Sequence, residues 1–102
     1  MKTDRRPNER PRALVVIQDP VNRRAVTRSL IYQGMDVQEE SAAQAAAFRL
    51  DSSTFAAVVI GNLGGRWPMV SEAANNTPCV FFLSDVRGAV SATLAAIGVE
   101  HV

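Results

Sequence analysis

The sequence predicts an α/β fold: a doubly wound, parallel, five-stranded sheet with helices on both faces. Three observations carry this expectation. Short, β-branched or aromatic apolar runs recur along the chain, ALVVI at 13–17, FAAVVI at 55–60 and CVFFL at 79–83, and such runs suit strands buried on both faces. Segments with helical apolar spacing lie between them, the alternation expected of strand–helix–strand units. Most boundaries carry a capping Asp or Ser, a proline or a glycine.

Length and composition bound the reading. A chain of 102 residues forms one small domain, and 47% apolar residues suffice for a core. Residues 1–12 (MKTDRRPNERPR) are polar and hold two prolines. They are expected to be a disordered basic leader, with the domain at 13–102. The leader has no aromatic residue to stack on bases. A net charge of +1 predicts no direct nucleic-acid binding and no attraction to anionic membranes. Cys79 is the single cysteine, so no internal disulfide forms and a reducing, cytoplasmic setting is expected. No apolar stretch reaches the roughly 20 residues of a membrane span, and no secretory signal is present.

The elements follow in order. Residues 13–17 form the first strand. Asp19 caps a helix that opens with Pro20 and runs to about Gln33, with Val21, Ala25, Val26, Leu30 and Ile31 on its apolar face and Arg23, Arg24 and Arg28 solvated. Gly34 closes it. A short strand at 35–38 lies near a sheet edge. Ser41 caps an alanine-rich helix at 42–50, whose small side chains allow close approach to the sheet. Residues 55–60 form a central strand. Glycines 61, 64 and 65 mark a turn, Pro68 starts a shortened third helix through about Ala74, and 75–78 break it. Residues 79–83 form a buried fourth strand. Ser84 or Asp85 caps a helix at 86–97, Gly98 stops it, and 99–102 begin a fifth strand with no fifth helix after it.

In an open doubly wound sheet, ligands bind at the carboxyl ends of the strands. The strand ends here are Ile17-Gln18-Asp19, Gly61-Asn62 and Ser84-Asp85. The stretches ALVVIQDPVNRRAVTRSLIYQGMDV, FAAVVIGNLGG and TPCVFFLSDVRGAVSATLAAIGVEHV together resemble a flavodoxin-like response-regulator receiver domain over residues 13–102. That resemblance implies a site with two acidic residues at the end of the first strand, which hold Mg²⁺, and a third on the third strand, which accepts a phosphoryl group. The chemistry needs carboxylates in both roles. Matched by position, the acid pair is Ile17 and Gln18, and the acceptor is Gly61. Ser84 matches the hydroxyl position. The lysine expected at the end of the fifth strand is missing. Asp19 is explained as a cap, and Asn62, under a one-residue shift, is an amide and no acceptor. The resemblance therefore implies a degenerate phosphorylation site with no phosphotransfer, no metal and no cofactor.

Among receivers the pattern is similar to the atypical, non-phosphorylated N-terminal domain of FleQ/FlrA-type flagellar transcription regulators, sigma-54-dependent activators in which a glycine stands at the acceptor position, as in VVIGN. The resemblance implies downstream AAA+ and DNA-binding domains in a longer protein, and a regulatory dimerisation module here. Helix 86–97, with the small residues Ala89, Ala92, Thr93 and Ala96, and strand 99–102, with His101, would form the dimer surface. Trp67 is read either as a core lid or as an interface anchor.

The competing reading is a small-ligand, nucleotide-sensing domain built on the 61–67 loop, where Gly61, Gly64 and Gly65 could cradle a phosphate beside Arg66 and Trp67. That loop matches neither standard glycine-rich phosphate fingerprint. An enzyme is not expected. His101, the only histidine, has no nucleophile at a recognisable spacing, no serine sits in a nucleophile elbow, and no metal-ligand cluster is present.

Overall fold

Strand residues alternate between two cores, and this alternation sets the architecture. The computed structural model describes residues 10–61 and 63–98. Its elements are β1 (Arg12–Ile17), α1 (Pro20–Tyr32), β2 (Asp36–Glu40), α2 (Ala43–Ser52), β3 (Ala57–Gly61), a 3-10 turn (Gly64–Arg66), α3 (Trp67–Ala74), β4 (Cys79–Phe81) and α4 (Val86–Ala96). The strands form one parallel sheet in the order β2-β1-β3-β4. Ala13, Val15, Ile17, Val59, Val80 and Phe82 point to one face, under Val26 and Leu30 of α1 and Val90 and Leu94 of α4. Leu14, Val16, Val58 and Ile60 point to the other, under Ala43 and Ala46 of α2 and Val70 and Ala74 of α3. The period of two along a strand divides one apolar run between two cores.

Local signals act as the sequence suggests at several boundaries. The Asp19 carboxylate accepts a hydrogen bond from the Asn22 amide at 2.9 Å and caps α1, with Pro20 at its first position. Gly34 and Gly98 close α1 and α4 at φ of 95° and 84°, where a side chain would be strained. Asp85, not Ser84, caps α4 through the Arg87 amide.

Other expectations are corrected. The described sheet has four strands, and the expected fifth, 99–102 with His101, lies outside the described residues. Most of the leader, 1–9, also lies outside them, and Arg12 already belongs to β1. The buried face of α1 is narrower than its apolar spacing suggests: Val26, Thr27 and Leu30 are buried, while Val21 and Ile31 are exposed. Ser41 does not cap α2. β2 continues to Glu40, and Ala42 takes the cap position without a side-chain bond. Among the described residues β4 lies at the end of the sheet, and it is less buried than expected, with Cys79 half-buried and Phe81 49% exposed.

α4 packs beside α1, so Ala89 and Thr93 of the expected dimer surface are buried inside the domain, while Ala92 and Ala96 face solvent. No described helix is long and apolar enough to cross a membrane.

Candidate functional site

The carboxyl ends of β1 and β3 lie side by side at the point where the chain's crossovers diverge to opposite faces, the place where doubly wound sheets bind ligands. Ile17 registers with Gly61, and the Gln18 amide donates to the Gly61 carbonyl at 3.3 Å. The structure thus brings Ile17, Gln18 and Gly61 together. Ser84 lies beyond the end of β4 and is exposed.

None of the three offers a ligand to the crevice through an acidic side chain. Ile17 is fully buried in the core shared with α1 and α4. Gln18 is exposed. Gly61 is buried beneath Phe82: a Cβ placed on it would lie 3.1 Å from both Cβ and Cδ2 of Phe82 and 3.2 Å from its carbonyl oxygen. The backbone amide of Phe82 also donates to the Ile60 carbonyl at 2.8 Å, which fixes Phe82 against β3. The acceptor position is therefore tightly covered by Phe82. A side chain there would need Phe82 to give way by a few tenths of an ångström.

A cation is built into the same strand end. Arg23 folds back from the first turns of α1, and its Nη1 donates to the carbonyls of Ile17 at 2.9 Å and Gln18 at 3.2 Å. Its Nε donates to Glu39 of β2 at 3.1 Å. Its side chain is only 20% exposed, which corrects the expectation of a solvated arginine. Arg24 approaches the other Glu39 oxygen at 3.7 Å. A guanidinium, always charged and rigidly forked, thus occupies the carbonyl-rich end of β1. Asp19, the nearest carboxylate in sequence, is committed to capping α1. Among the described residues, no group of three His, Cys, Asp or Glu side chains comes together to hold a metal.

The 61–67 loop borders an open cavity of about 430 Å³, lined by Ile60, Gly61, Leu63, Trp67, Phe81 and Leu83 among others. Trp67 meets Phe81 edge to face, with ring centroids 5.3 Å apart. No charged side chain lines this cavity among the described residues.

Phe82 and Arg23 escape a reading of the sequence alone. Two adjacent phenylalanines, Phe81 and Phe82, had to face opposite sides of the sheet, but which of them covers Gly61 depends on the register of β4. Arg23 stands four residues after the cap, a position from which a long side chain reaches the preceding strand end.

No protein-family model matches the sequence, and no curated protein matches it. Solved structures do. The chain is similar to the receiver domain of the Francisella response regulator 1452, with a TM-score of 0.73 at 11% identity, over 86% of this chain and 97% of that one. It is also similar to a response regulator receiver protein from Pseudomonas putida, with a TM-score of 0.60 at 23% identity, over 88% of this chain and 81% of that one. The parallel order β2-β1-β3-β4, with helices on both faces, is thus the flavodoxin-like α/β fold of response-regulator receiver domains.

Proposed function

We propose that this chain is a regulatory module that works by protein–protein association and carries out no phosphoryl transfer. The observation that supports this reading is Gly61 at the acceptor position, which offers no carboxylate and has Phe82 packed 3.1 Å from where a Cβ would lie. Arg23 at the end of β1 adds a fixed positive charge where a metal-binding acid pair would be needed. The setting we infer is a cytoplasmic bacterial transcription regulator of the FleQ/FlrA type, with this domain as its non-phosphorylated, self-associating control unit. The role is binding, not catalysis.

The test is incubation with a small-molecule phosphodonor and Mg²⁺, read by intact mass and by melting temperature. No phosphoryl adduct and no Mg²⁺-dependent shift in melting are expected. A stoichiometric adduct abolished by changing one carboxylate overturns the proposal. The cavity beside Trp67 favours one second reading, a site for a small, largely apolar ligand. Quenching of the single tryptophan by such a compound, saturable and lost in Leu63→Lys, would support that reading instead.

A further inference from the structure

The two edges of the sheet are built differently. β2, at one edge, has the sequence DVQEE, and its acidic residues are engaged by arginines. Glu39 pairs with Arg23 and Arg24, Glu40 with Arg49 at 2.6 Å, and Asp36 with Arg10 at 4.0 Å. Charged side chains of this kind protect an edge against pairing with another strand. β4, at the other edge among the described residues, has no such protection. Residues 77–84 (TPCVFFLS) contain no charge, and Phe81 and Leu83 are 49% and 85% exposed. Trp67 and Met69 of α3 add two more exposed apolar side chains, and Trp67 packs on Phe81.

The backbone of this edge is suited to a copy of itself. The Pro78 carbonyl and the Phe82 amide bond to β3, and by the two-residue period of a strand the N–H and C=O groups of Cys79 and Phe81 point the other way; Leu83 lies in the bend that follows β4. A two-fold axis at Phe81 would therefore let two β4 strands pair antiparallel. Phe81 would exchange both hydrogen bonds with its own counterpart, and Cys79 would face the bend at Leu83 just past the end of the other strand.

Chain topology favours an occupant other than a strand following α4. α4 lies on the α1 face, and a right-handed return from β4 through a helix on that face leads across the sheet toward β1, away from this edge. The four exposed side chains offer roughly 450 Å² of apolar surface per copy, comparable to the largest patch on an ordinary monomer. Two copies would bury about 900 Å² from these side chains alone. The strand backbone and its flanks would carry this toward the roughly 1,200 Å² of a small stable interface. With no charge between residues 77 and 84, the two-fold brings no like charges together.

We propose that two copies of this chain associate through antiparallel pairing of their β4 edges, centred on Phe81 and covered by Trp67. This rests on the association reading above and supplies its surface. The test uses the full chain. Sedimentation equilibrium compares the wild type with Phe81→Lys, and mild oxidation is applied to the wild type, to Leu83→Cys and to Ala92→Cys. A self-associating wild type is expected, with its dissociation constant raised at least about 30-fold by Phe81→Lys. Leu83→Cys is expected to form a disulfide-linked dimer with the native Cys79 of the other copy, since this register brings position 83, just past the strand end, to face Cys79 within disulfide reach. The wild type and Ala92→Cys should not. If Phe81→Lys fails to fold by circular dichroism, the Leu83→Cys cross-link decides alone. A dimer indifferent to Phe81→Lys and lacking that cross-link overturns the β4 edge but keeps the association reading. A wild-type monomer with no cross-link, as when residues 99–102 or another protein take the edge, overturns both the edge and self-association. Failure of the phosphodonor test is a separate result.

Discussion

Phe82 stands where a side chain on Gly61 would have to go: its Cβ and Cδ2 lie 3.1 Å from the position of a Gly61 Cβ. Gly61 has no positive φ that would itself exclude a side chain, so space alone is at issue. Two of the three closest atoms, Cβ and the carbonyl oxygen, cannot swing aside as a ring tip can. Gly61→Ala should therefore destabilise the domain by about 1–3 kcal/mol, the usual scale of overpacking, as read from urea unfolding. Gly61→Asp should cost at least as much and still give no phosphodonor labelling. Because the strain is shared with one neighbour, the cost of Gly61→Ala should shrink in a Phe82→Leu background, a coupling that a double-mutant cycle measures.

Arg23 joins three elements: it bonds two carbonyls at the end of β1 and the Glu39 carboxylate of β2 from its place on α1. Removing it takes the donor from the part-buried Ile17 carbonyl and leaves Glu39 with only the longer Arg24 contact. Arg23→Ala should lower stability by about 2 kcal/mol, in the range of hydrogen bonds made by charged groups. Arg23→Lys should recover little of this, because an ammonium cannot fork between the carbonyls and the carboxylate. Urea midpoints for both variants check the prediction. Full recovery by lysine would mean that charge alone matters at this strand end.

What could be read from the sequence follows from how local each feature is. The Asp19-Pro20 cap and the closing glycines Gly34 and Gly98 depend on neighbouring residues only, and they stand as expected. The glycine at the third-strand end was also legible, as was the lack of an acid pair. Features set by packing between distant segments were not. The covering of Gly61 depends on the register of β4 against β3. The exposure of Val21 and Ile31 depends on how α1 lies on the sheet and beside α4, an arrangement that buries Val26, Thr27 and Leu30 and leaves those two outside. Which small residues of α4 are buried was also set by packing: Ala89 and Thr93 lie inside the domain, while Ala92 and Ala96 face solvent.

Cys79 sits half-buried at the start of β4, against the core under α2 and α3, with its Sγ 3.7 Å from the Thr77 carbonyl. Burial pushes its thiol pKa up by desolvating the thiolate. Alkylation by iodoacetamide near pH 8 should therefore be slower in the folded protein than in urea, since the thiolate is the reactive form. The sign of the linkage follows. The unfolded thiol loses its proton first, so stability declines as pH rises from the unfolded value through the higher folded one. Below the unfolded value the thiol is neutral in both states, and its contribution is constant. Cys79→Ala should flatten this alkaline decline, as measured by urea unfolding across the pH range. Equal alkylation rates in native and unfolded protein would contradict the burial effect.

Two buried threonines separate satisfied from unsatisfied hydroxyls. Thr93 Oγ1 donates to the Ala89 carbonyl at 2.7 Å one turn back along α4. Thr27 Oγ1, on the buried face of α1, has no hydrogen-bond partner among the described residues. Both side chains are β-branched, so valine keeps the shape and the helical rotamer preference of either. At Thr27, valine removes a buried polar atom that gains nothing from the fold and loses water on folding. Thr27→Val should therefore stabilise the domain by about 1 kcal/mol. At Thr93, valine removes a made bond but leaves the Ala89 carbonyl its helical partner, so the change should fall near zero or cost up to about 1 kcal/mol. Urea unfolding of the two variants side by side gives the difference directly. A Thr27→Val protein less stable than Thr93→Val would show that the Thr27 hydroxyl has a partner in solution, such as a bound water.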